Sequence, residues 1–580
     1  MRQHCPDHER CAPGLEPRAS TDLTTARHPW RPVWAMLAAV LLAGCATSVP
    51  TSPTVQVKVL AINDFHGNLR PPLGGIRFID PVDPTRMLNA AAGGAEHLAT
   101  LVAQLRGKNP NHIFVAAGDL IGATPLLSAL FRDEPTIQSL SLMGLEASAV
   151  GNHEFDRGQS ELLRLQGGGC HPLEGCKGPT AFAGASFQYL AASTIVTRTG
   201  QTLLPAYHVK RFEGVPVAFI GLTLKETPSI VVPTGVLGLE FRDEAQTVNE
   251  LVPQIRSQGI AAIVLLIHEG GIPSGGLNEC PALSGAIVDI VKKLDSQVRV
   301  IISGHTHRAY NCRIDNRLVT SADKYGTVVS EIDLVLDRAS GELLSASAEN
   351  QVVRSDALAK DAAQTRLIAA YESLAAPLAS RVVGRIAAAL TRDESPSGET
   401  PIGQVVADAQ LAATRSAADG AAQLALMNPG GLRAALVPQA NGEVRYEDLF
   451  AVQPFYNNLV TLTLSGAQLL EVLERQWLDQ PRPRVLQVSR GLGYRWDASR
   501  PPGQRVVPGS LMLDGAAIDA NANYRVTVNS FLAGGGDNFQ IFKQGRDART
   551  GVMDVDALEH YLATNPVLPT DGPVRIRRVN

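Results

Sequence analysis

Five segments of the chain each end a hydrophobic run with residue types that bind metals. They are VKVLAINDFHGN (57–68), HIFVAAGDLIG (112–122), SAVGNHEFDRG (148–158), AAIVLLIHEGG (261–271) and VRVIISGHTHR (298–308). A lone histidine at a strand end is more often a hydrogen-bonded structural residue. Packing, however, does not require Asp, Asn and His at five strand ends, so we predict a metal site. The candidate ligands are Asp64, His66, Asp119, Asn152, His268, His305 and His307.

The ligand types indicate which metals would bind. Mixed carboxylate, amide and imidazole ligation suits Zn²⁺, Mn²⁺, Fe or Co²⁺ better than Ca²⁺ or Mg²⁺ alone. In Asp64-x-His66 the two side chains would share one face of an extended segment, as would those of His305-x-His307. Asp119 follows a glycine, which leaves its carboxylate room to bridge two cations. Two divalent cations about 3.5–4 Å apart would activate water for displacement at phosphorus.

The runs themselves predict the elements that position these side chains. A Val/Ile/Leu-rich run that closes on a polar ligand is typical of a buried parallel strand whose C-terminal end opens into a loop. Ligands bind at that edge in open α/β sheets. From 55 to about 345 such runs alternate with helical stretches at 95–107 and 286–295. The pattern predicts an α/β fold.

In this order, the motifs D-x-H, GD, GNHE, H and GH-x-H resemble the calcineurin-like metallophosphoesterase superfamily. The resemblance covers nearly all of 55–320 and implies a four-layer α/β/β/α sandwich. It also implies that Asp119 bridges two metals. The first metal would be held by Asp64, His66, Asp119 and His307, and the second by Asp119, Asn152, His268 and His305.

The same resemblance assigns His153 and Asp156 as a catalytic dyad. His153 adjoins the candidate ligand Asn152, and Asp156, three residues on, would fix its tautomer and favour its protonated form. A leaving alkoxide needs such a proton donor, which contributes roughly 10² to 10⁴ in rate. The alternative for Asp156 is a turn or helix-capping carboxylate.

The second half of the chain carries Gly-rich motifs after strand-like runs. These are IGQVVADA (402–409), MNPGGLRAAL (427–436) and NSFLAGGGDNF (529–539), together with FAVQPFYNNLV (450–460). They resemble the C-terminal domain of bacterial 5′-nucleotidases and UDP-sugar hydrolases, so that the two resemblances together cover about 55–550.

This second resemblance implies that Phe455 and Phe531 sandwich a nucleobase. Asn428, Arg433 and Asp537 then fall where the family contacts the nucleoside and anionic parts of its substrate. Stacking contributes about 1–3 kcal/mol per base and tolerates different bases. The alternatives are core packing for the two phenylalanines and a surface salt bridge for Arg433.

One departure from the family pattern concerns an arginine expected shortly before the first of these motifs. This chain has DESPSGETPIGQ (393–404) there, with Pro396 near the expected place. Arg392 or Arg385 would have to substitute. The departure widens the substrate range to other phosphate esters.

Length and composition predict two domains and no nucleic-acid partner. The chain has 580 residues, 45% of them hydrophobic, and a formal net charge of −4 without a long basic run. An anionic substrate would therefore be held by a local site rather than by a general positive field. We predict a metallophosphoesterase domain at 55–345, a linker helix at 346–380 and a second α/β domain, for substrate binding, at 381–580. The chain is expected to be monomeric.

The N-terminus predicts export. VWAMLAAVLLAG (33–44) is too short to span a bilayer but suits the apolar core of a signal peptide. The leader ends in LAGC, which resembles a bacterial lipobox, so we predict a signal peptide over 1–45, lipidation at Cys45 and a tether at 46–54. The protein would then be anchored to a bacterial membrane, facing the periplasm or the cell exterior. The alternative is an ordinary cleaved signal.

The cysteines that follow are even in number, which favours disulfides in an exported chain. Four cysteines permit three pairings. Because Cys170 and Cys176 flank a short loop and Cys280 and Cys312 bracket the GHTH segment, we predict those two bridges. The rival is a cysteine zinc site, but the usual C-x-x-C spacing is absent.

These patterns together predict an exported two-metal phosphomonoesterase that converts nucleoside 5′-monophosphates to nucleoside and phosphate. The main rival uses the same metals on a 2′,3′-cyclic nucleotide or a UDP-sugar. A rival of another class is a non-catalytic nucleotide-binding surface lipoprotein. A base held in the second domain would have to reach metals held in the first, with the helical stretch at 356–380 as the hinge region.

Overall fold

The computed structural model describes residues 52–480, 482–565 and 573–580. The predicted leader, Cys45 and most of the predicted tether lie outside these residues, and the first strand already begins at Thr54. Contacts join Pro53–Asn580 into one unit. A search of the described residues finds no helix with the length and apolar character that a bilayer crossing requires.

The first part of the chain alternates strands with helices, as the hydrophobic runs predict. Its strands are β1 (Thr54–Ile62), β2 (Ile76–Ile79), β3 (Met87–Ala90), β4 (His112–Ala116), β5 (Ala147–Ala149), β6 (Gln188–Leu190), β7 (Thr194–Val196), β8 (Gln201–Thr202), β9 (Tyr207–Phe212), β10 (Val215–Thr223), β11 (Leu239–Phe241), β12 (Ala262–His268), β13 (Val298–Ser303), β14 (Ala309–Ile314), β15 (Arg317–Ala322), β16 (Val328–Asp337) and β17 (Leu343–Val352). Its helices are α1 (Ala95–Arg106), α2 (Leu126–Ala129), α3 (Glu134–Leu142), α4 (Gln159–Gly167), α5 (Thr227–Ile230), α6 (Glu244–Ser257) and α7 (Ala286–Lys293).

Twelve of these strands form two six-stranded sheets that pack face to face. The first has the order β17-β16-β1-β4-β5-β6 and the second the order β14-β15-β13-β12-β10-β9. Strands β1, β4, β5 and β6 run parallel to one another, as do β10, β12, β13 and β15. The C-terminal ends of the central strands therefore meet at one edge of each sheet, where the candidate ligand loops begin.

Alternate residues of each central strand separate the layers. Val57 and Val59 of β1 share the core between the sheets with Val264 and Leu266 of β12. Leu60 of β1 faces outward into a core with helices α1, α3 and α4. On the far side, β12 packs against α6 and α7. Because side chains alternate across a strand, each sheet buries both faces, and the predicted four-layer α/β/β/α sandwich is confirmed.

The predicted linker helix is shorter than expected. Helix α8 (Ala362–Ala379) begins after Asp361, whose carboxylate accepts hydrogen bonds from two backbone N–H groups of its first turn. The prediction that the linker begins at 346 is wrong, because β17 continues to Val352 and pairs with β16 in the first sheet. The alanine-rich helix pattern did not indicate where the preceding strand ends.

The second part of the chain is also a mixed α/β structure. Its strands are β18 (Val382–Arg385), β19 (Leu424–Met427), β20 (Glu443–Arg445), β21 (Asn458–Ser465), β22 (Gln487–Val488), β23 (Leu492–Trp496), β24 (Met512–Leu513), β25 (Ala516–Ala517), β26 (Asn523–Asn529), β27 (Arg546–Met553) and β28 (Ile576–Arg578). Its helices are α9 (Pro401–Thr414), α10 (Tyr446–Val452), α11 (Gly466–Glu474), α12 (Ser530–Ala533) and α13 (Asp554–Thr564).

A five-stranded sheet of order β22-β19-β26-β21-β27 forms the centre of this part. One core packs the sheet against α11 and the aromatic residues Trp477 and Trp496. A second core contains α9, α10 and α13, and it also takes in Leu126 and Ala129 of α2. The two halves of the chain thus share apolar contacts next to the ligand loops.

Both predicted disulfides are present. Cys170 pairs with Cys176 and Cys280 pairs with Cys312, with Cα–Cα distances of 4.6 and 5.4 Å. The second bridge ties the segment after β12 to strand β14, which follows the GHTH loop. It therefore braces the part of the second sheet that carries three of the candidate ligands.

Candidate metal centre and substrate cleft

The seven candidate ligands converge at the facing edges of the two sheets. Six of them form two clusters, and the ligand atoms of each cluster lie within 4.8 Å of one another. One cluster contains Asp64, His66 and His307, and the other contains Asp119, His268 and His305. Asn152 joins the second cluster, because its Oδ1 lies 3.2 Å from His268 Nε2 and 3.1 Å from His305 Nδ1. The structure therefore brings together the seven residues that the sequence indicates as candidate ligands.

Asp119 lies between the clusters, as a bridging ligand should. One of its carboxylate oxygens, Oδ2, is 2.9 Å from His268 Nε2 and 3.7 Å from His66 Nε2. The other, Oδ1, accepts the backbone N–H of His153 at 2.9 Å. Gly151 makes this approach possible, because a Cβ atom there would overlap Asp119 Oδ1.

The backbone conformation at four of the candidate ligands differs from the predicted extended one. The prediction that Asp64 and His66 lie on one face of an extended segment is wrong, since β1 ends at Ile62 and both residues adopt left-handed conformations with φ of 50° and 46°. His305 and His307 do the same, with φ of 70° and 55°. Asp and His tolerate this region better than most residues, and such strain gathers at functional sites. Tight turns, rather than strand pleating, aim the side chains.

Hydrogen bonds fix the orientation of two of the imidazoles. His66 Nδ1 donates to the carbonyl oxygen of Gly122, and His268 Nδ1 donates to that of Ala117, each at 2.8 Å. Each bond leaves Nε2 facing the cluster, which is the arrangement that metal-binding histidines usually show. Glu154, which the sequence analysis did not single out, accepts the backbone N–H groups of Asp119, Leu120 and Gly151.

The charges of the site suit cations. Burial lowers the pKa of His66 and of His307 well below the ordinary value, and burial followed by the charge of His268 lowers the pKa of His305 to about 3. Neutral imidazoles of this kind are ready to coordinate. Against the effect of burial, the Asp119 carboxylate raises the pKa of His268 to about 10. Coordination by His268 would release the proton that this shift favours. The two clusters nevertheless offer the carboxylate and imidazole donors that two divalent ions require.

His153 stands at the edge of the clusters with its expected partner. Its Nδ1 lies 2.8 Å from Asp156 Oδ2, and its ring centroid lies 5.1 Å from that of His66. Burial lowers the pKa of His153, but the charges of Asp156 and Asp119 outweigh burial and raise it. This shift favours the protonated form of an imidazole that lies beside the metal ligand His66.

Of the predicted substrate residues, Phe455 and Arg433 reach this first-domain site. The Phe455 ring stacks on His153, with 5.9 Å between centroids, and the Arg433 guanidinium lies 5.8 Å from the Phe455 ring centroid. Arg433 forms no ion pair within the described part of the chain, and its Nη2 is buried without a partner. The surface salt bridge considered for Arg433 is therefore not seen.

Asn428, Asp537 and Phe531 lie together in the second domain. Asn428 Nδ2 donates to Asp537 Oδ2 at 2.8 Å, and Arg484 forms an ion pair with the other oxygen of Asp537. Phe531 packs at the edge of the second domain's core, where Gly536 leaves space for its ring. Among the described residues no ring contact joins Phe531 to Phe455.

The structure also distinguishes the two arginines left open by the sequence. Arg392 Nη1 donates to the carbonyl oxygen of Arg433 at 3.0 Å. Arg392 is therefore next to the group of Arg433, Phe455 and His153, which we call the cleft. Arg385 instead lies in the exposed pair with Glu443. Tyr325 is a further neighbour that no motif indicated. Its ring lies 5.9 Å from that of His66 and 5.7 Å from that of His307.

Comparison with known proteins agrees with this geometry. The calcineurin-like phosphoesterase profile matches residues 57–309, and the 5′-nucleotidase C-terminal domain profile matches residues 382–544. An endonuclease, YhcR of Bacillus subtilis, is 32% identical over 88% of this chain, although the match spans only 40% of that relative. The cell wall protein Lmo0130 of Listeria monocytogenes is 29% identical over 89% of this chain and 68% of its own length.

A solved structure extends the match to the whole architecture. The 5′-nucleotidase precursor of Thermus thermophilus superposes with a TM-score of 0.73 at 26% identity, covering 90% of this chain and 99% of that one. Fold and site together define a metal-dependent phosphoric ester hydrolase of the calcineurin-like class. The chain belongs to the 5′-nucleotidase family, which joins such a domain to a 5′-nucleotidase C-terminal domain.

Proposed function

We propose that this protein hydrolyses nucleoside 5′-monophosphates to nucleoside and phosphate. The observation that carries the proposal is the stack of Phe455 on His153, a contact between an aromatic residue of the second domain and the histidine of the His153–Asp156 pair in the first. An aromatic face at that point is useful for a substrate that carries a base, whereas a simple phosphate ester would not need it.

The chain's own residues define most of the reaction. When bound, two divalent ions would supply a water of lowered pKa and neutralise the phosphate oxygens. Asp64, His66, Asp119 and His307 would hold one ion, and Asp119, Asn152, His268 and His305 the other. Arg433 would contact the anionic part of the substrate.

His153 and Asp156 would act on the leaving oxygen. The hydrogen bond at Nδ1 fixes the ring and leaves Nε2 as the atom that delivers a proton to the 5′-oxygen as the P–O bond breaks. The carboxylate of Asp156 stabilises the imidazolium before that transfer. Phe455 and Phe531 would hold the base, with Asn428 and Asp537 contacting the nucleoside.

The alternative function within this class of enzyme is hydrolysis of a phosphodiester or a pyrophosphate. It is favoured by Arg392 beside Arg433, which adds positive charge next to the metal clusters. Metal-loaded protein should be assayed with AMP, a 2′,3′-cyclic nucleotide and UDP-glucose. Phosphate release from AMP supports the proposal, and cleavage of the cyclic nucleotide or UDP-glucose without release from AMP would reverse it.

For localisation, the leader pattern and the cell wall and precursor relatives support export. We further propose that Cys45 carries the lipid anchor. Globomycin treatment of expressing cells, which blocks cleavage of lipoprotein leaders, should make the uncleaved form accumulate. Leader removal that globomycin does not affect would contradict the anchor.

A further inference from the structure

Tyr325 contacts all three members of one candidate metal cluster. Its ring centroid lies 5.9 Å from that of His66 and 5.7 Å from that of His307, and each pair of rings meets edge to face, at 74° and 69°. Its backbone N–H donates to the carbonyl oxygen of Asp64 at 2.7 Å. Among the described residues, no hydrogen bond or ring contact joins Tyr325 to a member of the other cluster. Tyr325 therefore adjoins the two clusters unequally.

Three hydrogen bonds fasten the segment that carries Tyr325 to the segment that carries Asp64. The Asn63 side chain accepts the backbone N–H of Ala322 at Oδ1 and donates from Nδ2 to the carbonyl oxygen of Asp323, each at 2.7 Å. The bond from the Tyr325 N–H to Asp64 is the third. The loop after β15 is therefore held against the ligand loop after β1, which gives the Tyr325 ring a fixed place beside the cluster.

The backbone of Tyr325 lies in the left-handed region, with φ of 58°. This conformation is uncommon for a bulky residue, whereas glycine adopts it freely and asparagine tolerates it. Costly conformations of this kind persist where the surrounding structure fixes them, and they gather at functional sites. A tyrosine at this position therefore points to a role for its ring.

The ring contact matters most for His307. The imidazoles of His66 and His268 are oriented by hydrogen bonds from Nδ1 to backbone carbonyl oxygens. His307 Nε2 faces Asp64 Oδ1 at 3.3 Å, but its Nδ1 has no hydrogen-bond partner among the described residues. The edge-to-face contact with Tyr325 takes the place of that bond in restraining the imidazole.

We infer that Tyr325 is a positioning residue that sets the metal affinity of the cluster formed by Asp64, His66 and His307, without being a ligand itself. The inference rests on the metal assignment in the function proposed above and not on the identity of the ester. Residues that orient metal ligands typically contribute about 10- to 100-fold in metal affinity. The ring carries this role, because the Tyr325 hydroxyl forms no hydrogen bond among the described residues.

Three substitutions at Tyr325 separate the ring from the hydroxyl and from the backbone. Tyr325→Asn and Tyr325→Gly remove the ring but suit the left-handed backbone, and Tyr325→Phe removes only the hydroxyl. Chelator-stripped proteins are titrated with Mn²⁺, and the unbound ion is measured by electron paramagnetic resonance. The unmodified protein and Tyr325→Phe should bind two ions with equal affinities in the two proteins. In Tyr325→Asn and Tyr325→Gly one ion should bind with unchanged affinity and the other about 10- to 100-fold more weakly.

Two further proteins assign the weakened ion and control for the backbone. In His268→Ala/His305→Ala, which lacks two ligands of the other cluster, adding Tyr325→Asn should weaken binding of the remaining ion by the same factor. Tyr456→Asn is the matched control, because Tyr456 also has a positive φ, of 55°. Within the described part of the chain its ring lies 5.6 Å from the Arg157 guanidinium carbon and contacts neither cluster. Both Mn²⁺ affinities should be unchanged in this control.

The contrary outcomes are distinct from one another. Unchanged affinities for both ions in Tyr325→Asn and Tyr325→Gly would overturn the inference. An equal loss of both ions would also overturn it, because it would indicate a general loosening of the fold. A loss in Tyr325→Phe would assign the role to the hydroxyl and overturn it as well. A single Mn²⁺ in the unmodified protein would overturn the proposed function too, whereas failure to hydrolyse AMP with two ions bound would overturn that function alone.

Discussion

The imidazole of His153 lies nearly parallel to the ring of Phe455, with 23° between the two planes and 5.9 Å between their centroids. The two residues are about 300 positions apart in sequence and come from different domains. Their contact joins the group that would donate a proton to the group that would hold the base. A substrate bound by one domain is therefore within reach of the chemistry of the other.

Replacing Phe455 should weaken binding of substrates that carry a base. Loss of one stacking partner removes about 1–3 kcal/mol, so Phe455→Ala should raise the KM for AMP at least about fivefold. Hydrolysis of p-nitrophenyl phosphate, which has no nucleobase, serves as the internal control and should change little. Equal losses on both substrates would show that Phe455 supports the dyad rather than the base.

Replacing His153 should slow the step in which the leaving oxygen needs a proton. His153→Ala should lower kcat for AMP by roughly 10² to 10⁴ and leave the metal content unchanged. The loss should be much smaller with p-nitrophenyl phosphate, whose phenolate leaves without protonation. His560→Ala, at an exposed position of the second domain, is the control. An equal loss with both leaving groups would remove His153 from the role of acid.

The metal ligands could be predicted from the sequence because their types and order are specific. Each follows a buried hydrophobic run, and seven side chains of three coordinating types cannot be explained by packing. The backbone conformation could not be predicted, since nothing in Asp64-x-His66 distinguishes an extended segment from a left-handed turn. The fold could be predicted because hydrophobic runs alternate with helical stretches in a specific order. The end of β17 could not be predicted, because its last residues carry no turn signal.

Glu154 illustrates what the sequence did not reveal. It stands in the same motif as Asn152 and His153, but its side chain turns away from the site to hold the backbone. Only the coordinates show that one carboxylate joins the loop after β4 to the loop after β5. Tyr325 likewise lies beside His66 and His307 although it stands in a segment that no motif marks.

Glu154 should be required for the position of Asp119. Its Oε2 accepts N–H groups from Asp119 at 3.0 Å and from Gly151 at 2.7 Å, and its Oε1 accepts one from Leu120 at 2.8 Å. In Glu154→Gln the amide would face donors with a donor, and each unsatisfied buried group costs about 1–3 kcal/mol. We expect a lower free energy of unfolding in urea and weaker metal binding, with activity partly restored by excess metal.

Glu240→Gln is the control for that experiment, because Glu240 is exposed and lies on the short strand β11. If Glu154→Gln retains full metal affinity and full stability, the three hydrogen bonds do not position the bridging ligand.

Asp554 should make stability depend on pH. Burial raises the pKa of this carboxyl to about 8, and its Oδ2 is buried without a hydrogen-bond partner among the described residues. The folded protein then holds the proton more tightly than the unfolded chain, in which aspartate titrates near about 3.9. Its contribution to stability is therefore fully present below the unfolded value and is lost as the pH rises through about 8.

Asp554→Asn removes that titration. The stability of this variant relative to the unmodified protein should rise from about pH 4, the unfolded value, to about pH 8 and level off above. Urea unfolding at a series of pH values measures it, with the exposed helical variant Asp289→Asn as the control. A difference that stays constant across this window would contradict the buried, protonated state.

The central claim is that these seven side chains hold two divalent ions, and counting bound ions tests it directly. Protein stripped with a chelator, reloaded with Mn²⁺ or Zn²⁺ and freed of excess metal by gel filtration should carry close to two ions per chain by plasma mass spectrometry. The double variant His268→Ala/His305→Ala removes two ligands of one cluster and should carry close to one. A single ion in the unmodified protein, or two ions in the double variant, would contradict the account.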